Sequence, residues 1–95
     1  MKISNRQVRQ AVEEFKIFSN NNGTLFSEWH GDLYFVFSYG HHWPLFIYNN
    51  VKKQWYANKN KYSVTTSKHY SQACPFHPDY HKVIYLSCAE MREMY

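Results

Sequence analysis

The chain has 95 residues, which is enough for one domain and too few for two. Aromatic residues make up 20% of it and apolar residues 44%, which excludes a disordered chain, and three Gly and three Pro exclude a collagen-like one. The net charge is only +4, and no apolar run approaches the roughly 20 residues of a membrane helix. A single globular domain over residues 1–95 is expected.

The first predicted element is an amphipathic helix over about residues 5–19. Ser4 and Gln7 have the spacing of a capping box, and apolar residues follow at helical intervals. The Asn-Asn-Asn-Gly run at 20–23 is expected to end the helix, because glycine tolerates a left-handed C-cap. The apolar face comprises Val8, Ala11, Val12, Phe15 and Phe18.

Four short strands are predicted next, at 24–29, 33–39, 44–48 and 54–57. The segment 33–39 is so rich in β-formers that burial on both faces is expected. Pro44 stands at the start of its strand, where a missing N–H does least harm. The short sequential connections favour antiparallel pairing.

The remaining residues predict a polar loop at 58–62, a helix at 68–74 preceded by three hydroxyl residues, and a strand at 83–86. Ser87 and Glu90 form a second capping box, which opens a terminal helix through about residue 94. The predicted fold class is therefore α+β: a small antiparallel sheet of four to five strands with an N-terminal helix and two short C-terminal helices.

The positive charge is concentrated in one stretch. From Leu33 to Pro78 there is no Asp or Glu, and 12 of the 19 aromatic residues fall there. Basic residues interleaved with aromatics are typical of a groove that binds phosphates and stacks bases. The alternative is that the aromatics line strands while the lysines keep the loops in water. The lysines are Lys52, Lys53, Lys59, Lys61 and Lys68. The stacking or interface candidates are Tyr39, His42, Trp43, Trp55, Tyr56 and Tyr62.

An anion-binding site is predicted where the helix at 68–74 begins. A helix start offers unpaired N–H groups and the positive end of the helix dipole, to which these side chains add hydroxyls and an ammonium. Cations in a first turn oppose that dipole, and a bound phosphate or carboxylate would relieve the cost. Simple N-capping by a hydroxyl is the alternative. The residues are Thr65, Thr66, Ser67, Lys68 and His69.

Histidines and cysteines supply two further alternatives. His41 or His42 with His69 could act as an acid–base pair, as in metal-free phosphodiester cleavage, although no spacing rule supports it. Two thiols and two imidazoles form a set that tetrahedral zinc accepts, but the spacing is not standard and the cysteines could simply lie in the core. The zinc set is Cys74, His77, His81 and Cys88.

Other chemistries and locations are disfavoured. There is no phosphate-binding P-loop or dinucleotide motif, and an acid-free centre argues against Mg²⁺-dependent catalysis. Neither a metal nor a cofactor is therefore assigned. Two cysteines are too few for a disulfide framework, and no apolar segment follows the basic start, so a cytoplasmic protein is expected.

Two blocks of sequence carry a resemblance. They are Tyr39-Gly40-x-His42-Trp43-Pro44 and the run from Trp55-Tyr56-x-Asn58 through Lys61-Tyr62-Ser63 to Thr65-Thr66-Ser67-Lys68-His69. Over about residues 34–72 the chain resembles a family of small uncharacterised proteins of bacteriophages and mobile elements. The resemblance implies a phage-type accessory protein in the host cytoplasm, and it brings no activity that could be carried over residue by residue.

Three functions follow as hypotheses. The first is a non-enzymatic module that binds nucleic acid or another phosphate-bearing ligand. The second is an inhibitor of a host or anti-phage defence protein, because Tyr and Trp dominate interface hot spots. The third is a small metal-independent nuclease or hydrolase. No membrane partner is expected, and the small core with many aromatics is compatible with a homodimer.

Overall fold

The computed structural model describes residues 2–60, 64–76 and 82–95, with the backbone alone at 64–66. The fold is α+β, as predicted, and the described part contains a seven-stranded mixed sheet and three helices. The elements in chain order are β1 (Lys2–Ile3), α1 (Asn5–Glu13), β2 (Ser19–Asn20), β3 (Leu25–His30), β4 (Leu33–Ser38), β5 (Pro44–Asn49), β6 (Gln54–Asn58), α2 (Val64–Ala73), β7 (Ile84–Leu86) and α3 (Cys88–Arg92). None of these helices is long and apolar enough to cross a membrane.

The strands lie in the sheet in the order in which they occur in the chain. Strands β2 to β6 pair antiparallel, whereas β1 pairs parallel with β2, and β7 pairs parallel with β6 after the chain passes through α2. The predicted count of four to five strands is therefore wrong, and the sheet is not wholly antiparallel. Strands β1 and β2 have two residues each, too few to show a period-2 pattern in the sequence.

Helix α1 is shorter than predicted and ends at Glu13, with Glu14 as its C-cap. The next residue, Phe15, has a φ of 57°, and its N–H donates to the carbonyl of Val12 while that of Lys16 donates to the carbonyl of Ala11. This pair of bonds is a Schellman motif with Phe15 in the position that glycine usually takes. The chain therefore turns before Phe18, which packs in the core from outside the helix.

The helices cover the sheet on both sides. Helices α1 and α2 pack on one side, here called the α1–α2 face, and α3 packs on the other, here called the α3 face. Residues 34–38 of β4 are all buried, which confirms the expectation that this strand has two buried faces. Core residues of the α1–α2 face include Val8, Val12, Tyr34, Val36, Phe46 and Trp55. Core residues of the α3 face include Phe35, Phe37, Ile47 and Met91.

Aromatic rings form the centre of the α1–α2 face. The Phe15 ring lies 4.6 Å from Tyr48, 5.6 Å from Tyr34 and 5.7 Å from Trp55, measured between ring centroids. Trp29 lies 6.2 Å from the same ring. The Tyr34 hydroxyl donates to the carbonyl of Lys16 at 2.7 Å, and burial raises the pKa of Tyr34 to about 12. Many of the aromatic side chains thus pack in the core and do not form a binding surface.

One buried amide fastens the turn between β2 and β3. Asn20 is 2% exposed, and its Oδ1 accepts the backbone N–H groups of Thr24 and Leu25 at 2.9 and 3.2 Å. Its Nδ2 donates to Oδ1 of Asn5 and to Oγ1 of Thr24, both at 3.1 Å. Asn20 therefore joins the turn to the first residue of α1.

Candidate functional site

Several connections meet at one end of the sheet, because neighbouring central strands run antiparallel. This end, here called the loop end, comprises the β4–β5 loop at 39–43, the β2–β3 turn and the residues that follow β6. The backbone N–H of Tyr39 donates to the carbonyl of Thr24 at 2.7 Å, which ties the loop to the turn. The β5–β6 turn at 50–53 lies at the opposite end.

A cavity opens at the loop end between α2 and the strands β5, β6 and β7. Its volume is about 480 Å³, which is within the usual range for small-ligand sites. Helix α2 contributes Ser67, Tyr70 and Ser71, which share one helix face because they are three and four residues apart. Among the described residues, the lining is Leu45, Asn58, Lys59, Asn60, Ser67, Tyr70, Ser71 and Tyr85.

Two asparagines hold the floor of the cavity in place. Asn58 is buried, donates to the carbonyl of Pro44 at 2.7 Å and accepts the backbone N–H of Asn60 at 2.8 Å. Asn60 in turn accepts the backbone N–H of Cys88 at 2.6 Å. Lys59 lies between them, and its own N–H donates to the carbonyl of Leu86 at 2.9 Å. The backbone at Lys59 is therefore fixed on both sides, while its side chain is exposed.

The cavity surface is largely apolar, and most of its polar side chains can donate hydrogen bonds. Lys59 supplies an ammonium, Ser67 and Ser71 supply hydroxyls, and burial raises the pKa of Tyr70, so that its phenol remains a donor at neutral pH. Within the described part of the chain, none of the lining residues carries a carboxylate and Lys59 forms no ion pair. Glu90 is near enough for Lys59 to contribute to its lowered pKa, which is due mainly to hydrogen bonds with Ser87.

The predicted lysines do not all converge on this cavity. Lys59 lines it and Lys68 is exposed on α2, whereas Lys52 and Lys53 lie in the β5–β6 turn at the far end of the sheet. The six steps along the chain from Lys53 to Lys59 span roughly 20 Å at about 3.3 Å per residue. Lys61 lies outside the described residues.

Helix α2 begins earlier than predicted, at Val64 instead of residue 68. Ser67 is therefore inside the first turn and lines the cavity, and Lys68 and His69 belong to the second turn. The expectation that cations occupy the first turn is wrong, and so is the argument from their opposition to the dipole. The side chains of Thr65 and Thr66 lie outside the described residues.

His69 is buried beneath the β4–β5 loop rather than exposed as an acid–base group. It is 5% exposed, its Nδ1 lies 2.8 Å from Oγ of Ser38, and its ring stacks on Tyr39 with centroids 5.4 Å apart. His41 lies on the other face of the sheet, and His42 is exposed in the loop. Among the described hydrogen bonds, none joins His41 or His42 to His69.

His41 belongs to a cluster that the sequence analysis missed. Both oxygens of the Glu28 carboxylate are occupied, one by Nε2 of His41 and one by Nε2 of His30, each at 2.7 Å, and the Tyr95 hydroxyl donates at 3.3 Å. Partial burial would raise the pKa of Glu28, but the bonds from both histidines outweigh it and lower that pKa. Glu28 and His30 are two residues apart on a strand, and this spacing was the available signal. The cluster fastens the β4–β5 loop and Tyr95 to β3.

The aromatic candidates separate clearly by exposure. Tyr39 is 47% exposed, whereas Trp55 is 9% exposed in the core of the α1–α2 face and cannot stack a base. Trp43 and Tyr56 are half-buried and pack against the two faces of the sheet. Tyr62 lies outside the described residues. Among the predicted Tyr and Trp stacking residues that the structure describes, Tyr39 is thus the one most open to water.

The predicted zinc set is only partly described. Cys74 and Cys88 are both free thiols; Cys74 packs on the α1–α2 face, and Cys88 begins α3. His77 and His81 lie outside the described residues. Within the described ranges, no group of three or more His, Cys, Asp or Glu side chains is arranged to hold a metal ion.

Comparison with protein-family models, curated proteins and solved structures finds no match for this chain.

The buried His69 predicts a pH-dependent stability. Burial lowers the pKa of His69, so on acidification the unfolded chain takes up a proton at pH values where the folded chain does not. The stability contributed by neutral His69 is present above about pH 6.5 and falls as the pH drops towards the folded pKa, by at most about 1.4 kcal/mol per pH unit. Urea unfolding from pH 7.5 to 5.5 should show this loss in the wild type, with a flatter profile in His69→Gln. Parallel profiles for the two proteins would contradict it.

Proposed function

We propose that the protein binds a phosphate-bearing ligand, nucleic acid included, in the cavity at the loop end. The observation that carries the proposal is the cavity of about 480 Å³: Lys59 and several neutral hydrogen-bond donors line it, and none of the lining residues that the structure describes has a carboxylate. A phosphate group offers several acceptor oxygens and a negative charge, which this lining matches.

The position of α2 supports the same conclusion. Ser67 lies in the first turn of this ten-residue helix, where unpaired N–H groups and the positive end of the dipole favour an anion. The wider charge pattern adds to this, since Lys59 and Lys68 belong to the stretch of 46 residues without a single acidic residue. The resemblance to small phage proteins is consistent with an accessory role that involves nucleic acid.

Lys59→Gln is expected to weaken binding of a labelled single-stranded oligonucleotide by about tenfold, because a charge-assisted hydrogen bond contributes roughly 1.5 kcal/mol. The salt dependence of the dissociation constant should also become shallower by about one unit of slope. Fluorescence anisotropy over a range of salt concentrations measures both quantities. Lys52→Gln is the matched control, because it removes the same charge at the opposite end of the sheet.

Two outcomes would contradict the proposal. Equal weakening by Lys59→Gln and Lys52→Gln would show attraction to overall charge rather than to this cavity. Absence of binding at low salt would remove the nucleic-acid and phosphate hypotheses together. The hypothesis of a host or defence protein as partner would then take precedence, and capture from host lysate treated with nuclease would test it.

A further inference from the structure

Tyr39 has an unusual combination of backbone and side-chain placement. Its φ is 62°, in the left-handed region that glycine and asparagine occupy far more readily than an aromatic residue. The following residue, Gly40, also has a positive φ, of 127°. Tyr39 is nevertheless 47% exposed, so burial of its ring does not by itself offset the strain. Strain held in an exposed aromatic residue at a loop end points to a function for its ring.

The ring of Tyr39 rests on a rigid support. It stacks on His69 with an interplanar angle of 27° and a centroid distance of 5.4 Å. His69 is itself fixed by Ser38, whose Oγ lies 2.8 Å from Nδ1, and the Tyr39 N–H is bonded to Thr24. Because one side of the ring lies against buried His69, the exposed remainder forms a preorganised aromatic surface. Such a surface stacks a flat ligand with little loss of side-chain entropy.

Helix α2 connects this ring to the cavity. Successive residues of an α-helix are about 100° apart, so Lys68 lies between His69 on one side and Ser71 on the other. His69 faces Tyr39, Ser71 lines the cavity, and Lys68 is exposed between them. An aromatic platform, an exposed ammonium and the cavity with its serine hydroxyls therefore follow one another around α2. In this order, the ring could stack a base, and the ammonium and the cavity could bind the phosphates joined to it.

We propose that Tyr39 is the stacking platform for a nucleobase, which makes single-stranded nucleic acid the ligand of the site. This inference rests on the proposed function, since the cavity supplies the phosphate contacts. Single strands fit because their bases are free to stack on a side chain, whereas the bases of a duplex are already stacked and paired. Every base presents a π-face, so binding should depend little on sequence.

The test compares an oligothymidine with an abasic oligonucleotide of the same length, which keeps the phosphates and lacks the bases. Tyr39→Leu is expected to weaken binding of the oligothymidine by about 5- to 150-fold, the range for loss of one base–aromatic stack, and to leave binding of the abasic strand unchanged. Tyr39→Phe keeps the ring and should bind like the wild type.

Tyr39→Gly separates binding from folding. Glycine adopts a φ of 62° without strain, so this variant should keep or exceed the wild-type melting temperature while it binds the oligothymidine as weakly as Tyr39→Leu. Photocrosslinking of a strand that contains 5-iodouracil, followed by mass spectrometry, should locate the modified residue at Tyr39.

The possible failures are distinguishable. If Tyr39→Leu weakens neither strand or weakens both strands equally, the stacking proposal is wrong, whatever the effect of Lys59→Gln. If Lys59→Gln weakens the abasic strand while all Tyr39 variants bind normally, the phosphate site stands and only the platform is disproved. If neither oligonucleotide binds the wild type, the proposed function and this inference both fail.

Discussion

Replacing Phe15 with alanine should lower the free energy of unfolding by about 3 kcal/mol, the low end of the usual loss for a packed phenyl ring, because this ring is partly exposed. The Phe15 ring touches four other aromatic side chains, and the closest centroid, that of Tyr48, is 4.6 Å away. Removing the ring deletes these contacts, and the neighbouring large rings on paired strands cannot shift far enough to replace them. Urea denaturation followed by circular dichroism measures the change.

The backbone of Phe15 supplies an internal control. At most helical sites glycine is less stable than alanine, but at a φ of 57° alanine is strained and glycine is not. Phe15→Gly should therefore be more stable than Phe15→Ala by about 0.5–1 kcal/mol. The opposite order would mean that α1 does not end in this left-handed turn. Both variants should remain well below the wild type, because both lose the ring.

Asn20→Ala should destabilise the fold by about 2–4 kcal/mol, an effect of similar size. Two backbone N–H groups, those of Thr24 and Leu25, would lose their acceptor, and Leu25 is completely buried. An unpaired donor inside a protein carries the full cost of its desolvation, which is larger than the net worth of a typical hydrogen bond. Thermal and urea unfolding of the variant would measure the loss.

Asn5→Ala is the matched control for Asn20. It removes the acceptor at the exposed end of the same network, where water can replace the lost bond to Asn20. A change of no more than about 1 kcal/mol is expected. If the two variants were equally destabilised, the buried bonds to the turn would not be the source of the effect. Equal stability of Asn20→Ala and the wild type would contradict the role of the amide outright.

The sequence predicts helices and strands well where neighbouring residues determine them. The second capping box is formed as expected, with Ser87 and Glu90 bonded to one another at 3.0 and 3.2 Å. In the first capping box, at the start of α1, the Ser4 N–H donates to the Gln7 side chain at 3.0 Å. Strands β3 to β7 fall within a residue or two of their predicted positions. In each case, residues that are near one another in sequence supply the capping hydrogen bonds or the β-forming pattern of the strand.

Errors occurred where distant residues override local preference. The sequence predicts that α1 ends near residue 19, because Phe15 is an unfavourable residue for a left-handed cap. In the structure the packing of Phe15 among Tyr34, Tyr48 and Trp55 favours that conformation, and the helix ends at Glu13. Trp55 was a stacking candidate because aromatic composition does not reveal burial. Strands β1 and β2 are not predicted, because a two-residue strand is defined by its partner and not by its own sequence.

The candidate site shows the same division. The acid-free stretch, its five lysines and the hydroxyl residues near the start of α2 are evident from the residue order alone, since charge and composition need no coordinates. Strand direction, which the residue order does not show, decides which of these residues lie close together. Antiparallel pairing of β5 and β6 places Lys59 beside the cavity and the pair Lys52 and Lys53 at the other end of the sheet. Tyr39 and His69, 30 positions apart, meet because α2 packs over the end of β4, and a contact between separate elements of that kind leaves no periodic trace in either segment.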